Sequence, residues 1–83
     1  MKYYVVYNGT DSDDIYVIVK ASSEAEAKEK GFKKFEDLVK HYDKRELYSS
    51  VDGVYDTLEE CLDALGGYTS LEKALKDGWY YVE

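Results

Sequence analysis

Residues 23–42 read SEAEAKEKGFKKFEDLVKHY and form the longest segment of the chain with apolar side chains at helical spacing. Phe32, Phe35 and Leu38 recur at intervals of three residues, so they would line one side of a helix. The first half of the segment carries only small residues on that side. We therefore predict one long amphipathic helix that packs on a sheet through a wedge-shaped face.

The start and the middle of this helix carry two further signals. Ser23, with Glu26 three positions later, matches the capping box, in which both side chains accept hydrogen bonds from early backbone N–H groups. Gly31 costs up to about 1 kcal/mol relative to alanine inside a helix. We expect the helix to approach the sheet closely at Gly31, with a break into two shorter helices as the alternative.

Two strands precede the helix. Residues 2–7 (KYYVVY) and 15–20 (IYVIVK) are rich in β-branched and aromatic residues, and residues 8–14 between them are turn formers. A tight turn at Asn8-Gly9 would place several aspartates in the second strand, so we predict a hairpin with a longer loop. Both faces of both strands are apolar, which predicts that they are inner strands.

The second half of the chain predicts shorter elements. Residues 46–51 (ELYSSV) alternate as a strand does, and Asp52-Gly53 is the signature of a short turn into a second hairpin. Residues 57–62 and 70–75 share the pattern [ST]-L-E-x-[CA]-L and predict two short helices. Residues 79–82 (WYYV) predict a last strand.

The two short helices have predicted boundaries, with capping boxes at their starts and glycines at their ends. The boxes are Thr57 with Glu60 and Thr69 with Glu72, and the glycines are Gly66-Gly67 and Gly78. Residues 1–83 therefore predict one α+β domain with a mainly antiparallel sheet of three or four strands. The predicted order is β-β-α-β(β)-α-α-β, with the one long helix packed on the sheet.

Composition excludes several classes of function. The formal net charge is −7, which argues against direct binding to nucleic acid, because lysine and arginine supply most of the affinity for phosphate backbones. No apolar run is long enough to cross a bilayer, so we expect no membrane partner. A single cysteine and the absence of a signal-like segment before Tyr3 predict a cytoplasmic protein.

Few residues suggest chemistry. Cys61 lies at the spacing of buried leucines, and His41 lies near the end of the long helix, so neither predicts a nucleophile or a general base. Residues 11–14 (DSDD) begin like a calcium loop, but Tyr16 occupies the position of its required glycine and Ser22 that of its glutamate. We therefore expect no enzyme activity, no catalytic residue, no metal site and no cofactor.

The segment KASSEAEA (residues 20–27), which follows the predicted hairpin, resembles the strand-to-helix junction of small uncharacterised acidic proteins of phages and mobile elements. This resemblance implies neither an activity nor a site.

Charge is unevenly distributed along the chain. Residues 1–42 hold seven basic and eight acidic side chains, whereas residues 43–83 hold four basic and ten acidic ones. The predicted second helix carries a carboxylate stripe with no basic neighbour in the sequence. This stripe is the candidate site, and an ordinary solvated helix face is the alternative interpretation. Together with two nearby residues of the preceding segment, the predicted partner-binding residues are Asp52, Tyr55, Asp56, Glu59, Glu60 and Asp63.

Two functions remain open from these observations. The first is a small acidic protein-binding module, in the specific form of a phage-type inhibitor that mimics DNA charge and occupies the basic surface of a nucleic-acid-binding protein. The ten tyrosines favour it, because tyrosine is enriched in interfaces. The alternative explanation for them is structural, since a small domain short of aliphatic residues can use tyrosine to cover its sheet. The alternative is a structural protein that self-associates through a sheet face or edge, so the chain is expected to be a monomer or a homodimer.

Overall fold

The computed structural model describes residues 1–9, 14–38 and 49–83. Its class is α+β, as predicted. In the described part, one strand lies between the first two helices, where the prediction allowed one or two, and the long helix is described as far as Leu38. In chain order the elements are β1 (Lys2–Gly9), β2 (Asp14–Ala21), α1 (Glu24–Leu38), β3 (Ser50–Tyr55), α2 (Leu58–Ala64), α3 (Leu71–Lys76) and β4 (Tyr80–Val82).

The strands form one four-stranded sheet in the order β3-β1-β2-β4. β1 and β2 are its inner strands, which confirms the prediction from their two apolar faces. β1 pairs antiparallel with both β2 and β3, whereas β2 pairs in parallel with β4. The sheet is therefore mainly antiparallel, as predicted. The parallel pair requires a crossover connection, which here runs through α1, β3, α2 and α3.

The hairpin between β1 and β2 has the longer connection that we predicted. Asn8 pairs with Ile15 and Gly9 pairs with Asp14, so both members of Asn8-Gly9 belong to the ladder and do not form a tight turn. Residues 10–13 connect the strands and lie outside the described residues.

The start of α1 confirms half of the predicted capping box. The Glu26 backbone N–H donates to Ser23 Oγ at 3.1 Å. The predicted return bond, from the Ser23 backbone N–H to the Glu26 carboxylate, is wrong. That carboxylate instead accepts from Ser22 Oγ at 2.6 Å and pairs with Lys30 Nζ at 2.9 Å. These contacts, with Lys30 as the larger cause, hold the pKa of Glu26 below its ordinary value. The predicted continuation over residues 39–42 lies outside the described residues.

The close approach predicted at Gly31 is confirmed. Gly31 is buried within an uninterrupted α1, and a Cβ atom at this position would lie only 2.6 Å from Val6 Cγ1 of β1. Real Cβ contacts do not reach that distance, so the absence of a side chain sets how near α1 lies to the sheet. The helix-propensity cost of glycine is offset by the packing of its neighbours.

We predict that Gly31→Ala destabilises the protein although alanine is the better helix former. The new methyl group would overlap the Val6 side chain, and overpacking costs roughly 1–3 kcal/mol, more than the propensity gain of about 1 kcal/mol. Chemical denaturation monitored by circular dichroism measures the difference. The control is the same change in a Val6→Ala background. There Gly31→Ala should not destabilise the protein relative to Val6→Ala alone, since the smaller side chain removes the overlap. A single variant more stable than the wild type would contradict the prediction.

Helices cover both faces of the sheet. α1 packs on one face and forms the first core cluster, whose buried members are Tyr4, Val6, Val17, Val19, Ala21, Ala27 and Phe35. α2 and α3 pack on the opposite face and form the second core cluster, whose buried members are Val5, Ile18, Cys61, Leu62 and Ala74. The predicted packing of the long helix on one face is confirmed, and the sheet is the middle layer of three.

The predicted turn at Asp52-Gly53 is wrong. Both residues lie inside β3, where Val5 pairs with Gly53 and Val6 pairs with Val51, so that Asp52 is an extra residue in the ladder. This is a β-bulge, and bulges use the same residue types as tight turns. The Asp-Gly pair therefore kinks an edge strand here and does not reverse the chain.

The short helices agree in part with their predicted caps. Thr57 Oγ1 accepts from the Glu60 backbone N–H at 3.1 Å, as predicted. For α3 the predicted cap Thr69 is wrong, because Ser70 Oγ accepts from the Lys73 backbone N–H at 3.3 Å. Ser70 is the residue equivalent to Thr57 in the shared sequence pattern. The glycines that follow both helices have positive φ, as their predicted role requires.

Candidate partner-binding surface

The predicted partner-binding residues lie in one continuous part of the chain, from β3 into α2. We call them the acidic surface, and they are Asp52 and Tyr55 of β3, Asp56 of the connection, and Glu59, Glu60 and Asp63 of α2. The five carboxylate residues are exposed, whereas Tyr55 is half-buried against the second core cluster. The surface is therefore built on regular elements whose apolar sides are fixed in the core.

The charges of α2 differ from those of the other two helices. In α1, three glutamates pair with lysines one turn later, at 3.9 Å for Glu24–Lys28, 2.9 Å for Glu26–Lys30 and 3.6 Å for Glu29–Lys33. In α3, Glu72 pairs with Lys76 at 3.6 Å. α2 has no basic residue, so its carboxylates have no such partner on their own helix.

The structure corrects one part of the predicted stripe. Asp56 does have a basic neighbour, because Lys2 Nζ of β1 lies 3.4 Å from its carboxylate. Both side chains are more than half exposed, and such pairs contribute little to stability. Within residues 1–9, 14–38 and 49–83, no salt bridge involves the side chains of Asp52, Glu59, Glu60 or Asp63.

The position of each carboxylate along α2 determines whether the helix dipole stabilises or destabilises its negative charge. Glu59 and Glu60 lie in the first turn, where the positive end of the helix dipole favours anions. Asp63 lies in the last turn, where the dipole disfavours an anion and no basic side chain compensates. The helix dipole thus gives a structural reason for the negative charges of Glu59 and Glu60, but it gives none for the charge of Asp63.

We predict opposite stability effects at the two ends of α2. Asp63→Asn should stabilise the protein and Glu59→Gln should destabilise it, each by about 0.3–1 kcal/mol at low ionic strength. Thermal denaturation at low and high salt measures both, and both differences should shrink as salt screens the dipole. A stabilising Glu59→Gln, or a destabilising Asp63→Asn, would show that another interaction governs these side chains.

Most of the described tyrosines cover the second face of the sheet. Those that pack against the second core cluster are Tyr3, Tyr16, Tyr55, Tyr68 and Tyr81. Their main role is therefore structural, which is the simpler of the two explanations for a tyrosine-rich small domain. Among these residues only Tyr55 belongs to the acidic surface.

An aromatic row at the hairpin end of the same face was not predicted. The ring centroids of Tyr7 and Tyr16 are 5.1 Å apart, and those of Tyr16 and Trp79 are 5.3 Å apart. The row crosses from β1 through β2 to the residue before β4. Tyr7 and Tyr16 are partners within the hairpin, whereas Trp79 is far from both in sequence and is brought to them only by the parallel pairing of β4 with β2, which periodicity does not specify.

The Cys61 thiol is fully buried, as its spacing predicted. It packs between α2 and the sheet with Val5, Ile18 and Leu62. Burial raises the pKa of Cys61 to about 11, so the nucleophilic thiolate is scarce at neutral pH. These surroundings suit a small apolar side chain and do not activate a nucleophile.

We predict that Cys61 reacts with a thiol reagent only when the protein unfolds. The labelling rate of the native protein at pH 8 should be lower by orders of magnitude than the rate in guanidinium, because the thiol is both buried and protonated. Cys61→Ala should cost about 1–2 kcal/mol of stability through the cavity that it leaves. Stoichiometric labelling within seconds under native conditions would contradict this assignment.

The remaining residues considered for catalysis or metal binding form no metal site within the described part of the chain. His41 and most of the aspartate-rich loop over residues 11–14 lie outside the described residues. Within residues 1–9, 14–38 and 49–83, no three His, Cys, Asp or Glu side chains are grouped so that they could hold a metal ion. In the same ranges no helix has the length and apolar character needed to span a bilayer.

Comparison of the chain with family models, with curated proteins and with solved structures finds no match.

Proposed function

We propose that this chain is a protein-binding module whose acidic surface occupies a basic surface of a partner protein. The observation that carries the proposal is the contrast between helices. α1 pairs three of its glutamates and α3 its one glutamate with lysines one turn later, whereas α2 presents carboxylates alone. Most surfaces intersperse the two signs of charge, and an uncompensated stripe favours association with a surface of opposite charge.

The position of Asp63 gives this contrast more weight. A carboxylate in the last turn interacts unfavourably with the helix dipole, so it destabilises the helix, and no basic side chain in that turn offsets this. A partner that supplies lysine or arginine at this position would convert the unfavourable charge into a favourable one. The α2 part of the acidic surface is also fixed in position, because Cys61 and Leu62 on the opposite side of α2 are buried in the second core cluster.

In its more specific form, the proposal is that the partner is a nucleic-acid-binding protein and that the chain inhibits it by mimicking DNA charge. The carboxylates of β3 and α2 would then pair with the partner's lysines and arginines, which otherwise contact DNA phosphates. This form requires that partner binding and DNA binding exclude each other. Direct binding of the chain itself to nucleic acid is not expected, because its formal net charge is −7.

The test compares two variants with the same change in net charge. Glu59→Lys with Asp63→Lys changes α2, and Glu24→Lys with Asp37→Lys changes α1 on the other side of the sheet. Each pair replaces one acidic residue near the start of its helix and one near the end, so dipole effects on stability nearly cancel in both. The two variants therefore differ in the place of the charge and not in its amount.

We predict that the α2 variant loses binding and that the α1 variant keeps most of it. Partners are captured on the immobilised wild-type chain, identified by mass spectrometry and titrated at low and moderate salt. The α2 variant should associate about tenfold more slowly at low salt, and the difference should shrink as salt rises. Equal losses for both variants would mean that net charge, and not the acidic surface, governs binding.

Competition with duplex DNA tests the more specific form. Wild-type chain should displace DNA from the captured partner, and the α2 variant should fail to do so at the same concentration. A ternary complex of chain, partner and DNA would refute mimicry while leaving the binding module intact.

Self-association is the second candidate function, and one observation favours it. β3 and β4 are the edges of the described sheet, and edge strands can pair with a second copy. Because helices pack on both faces, we assign this alternative to the edges and not to a face. Light scattering after size exclusion at high salt separates the two functions, since a dimer that persists when charge is screened favours assembly.

A further inference from the structure

The edge strand β3 has one residue more than its ladder with β1 uses. Of the strands in the described part of the chain, only β1 pairs with β3, so β3 has an outer edge with no strand beside it there. Residues 3–7 of β1 are consecutive, and they pair with every residue of β3 except Asp52. The ladder with β1 therefore does not need Asp52.

The packing on either side of the bulge also fits a strand without the extra residue. In a regular strand, residues an odd number of positions apart point to opposite faces. Val51 packs against the first core cluster and Tyr55 against the second, although they are four positions apart. Without Asp52 they would be three apart, and regular alternation would place them on the same two faces. Neither contact therefore requires the extra residue.

The extra residue does change the outer edge of β3. A bulge bends the strand, increases its twist and disrupts the regular spacing of N–H and C=O groups that another strand would pair with. Asp52 also adds an exposed charge at that point. Without it the strand would read Ser-Val-Gly-Val-Tyr, a regular edge on which Val54 is 46% exposed. Long, regular and apolar edges are the ones that pair with other chains.

The opposite edge of the sheet is limited by its length. β4 has three residues, and a very short edge strand offers little backbone to a new strand. β3 has six residues and is the longer of the two edges. It is therefore the edge at which a bulge has most to prevent.

We propose that the bulge at Asp52 blocks the outer edge of β3 from pairing with β3 of a second copy of this chain. Without the bulge, two such edges could pair antiparallel about a two-fold axis and join two four-stranded sheets into one. If the pair covered the whole of Ser50–Tyr55, the axis would pass between Asp52 and Gly53, so the two bulges and their carboxylates would meet at its centre. The block acts on the backbone of one edge, and it holds whether or not the acidic surface binds a basic partner.

The test removes the extra residue and measures the mass by light scattering after size exclusion at high salt. In the variant that lacks Asp52, the apparent mass should double as the protein concentration rises, because β3 becomes a regular edge. The wild type should keep the mass of one chain. Asp52→Ser keeps the extra residue without its charge and should also remain a monomer.

Two further substitutions, made in the variant that lacks Asp52, locate the interface. Val54→Lys places a charge on the edge of β3 and should restore the monomer. Leu75→Lys is the matched control, because Leu75 of α3 is 43% exposed and Val54 is 46% exposed. It should leave the dimer intact.

Several results would overturn the proposed block. A folded monomer without Asp52 would show that the bulge prevents no pairing, and loss of the folded circular dichroism spectrum would show that the ladder with β1 needs the extra residue after all. If Asp52→Ser forms as stable a dimer as the deletion does, charge and not the bulge protects the edge. A wild-type dimer that Val54→Lys separates would show that the edge is open despite the bulge.

Discussion

The contact between Gly31 of α1 and Val6 of β1 is the constraint on which the rest of the structure depends. With no Cβ at position 31, the helix lies closer to an inner strand than a side chain there would allow without a shift of Val6. Tyr4, Val17 and Phe35 are buried in the same core cluster, so a change in this separation would disturb their packing. The sheet is then free on its opposite face to receive α2, and α2 carries the acidic surface.

Patterns that repeat within one segment were sufficient for much of the fold. The apolar alternation of β1 and β2 predicted two inner strands, and Gly31 predicted close approach, because each signal lies within the element that it describes. The failures have a different origin. Asp52-Gly53 serves a turn or a bulge equally well, and only the ladder with β1 decides between them. Likewise Thr69 and Ser70 are both competent caps, and the choice depends on where the backbone turns.

The acidic surface was predictable in composition but not in its surroundings. The absence of basic residues from α2 is visible in the sequence, whereas the Lys2–Asp56 pair joins residues that are far apart in the sequence. The steric relation between Gly53 and Tyr55 was also missed, since a Cβ atom at Gly53 would lie 2.8 Å from the Tyr55 hydroxyl oxygen. A glycine two residues before a tyrosine on an edge strand is a faint signal, and it becomes meaningful only when the ring is seen to occupy the space of a side chain.

The parallel pairing of β4 has a consequence for how the protein folds. Residue 17 pairs with residue 80, whereas the β1–β2 hairpin joins residues that are near one another in sequence. Contacts between distant residues require closure of a long loop, and they form later than local ones. Until β4 docks, the open edge of β2 exposes unpaired backbone groups beside some of the most apolar residues of the chain. β4 therefore protects the edge of β2 from pairing with a strand of another chain.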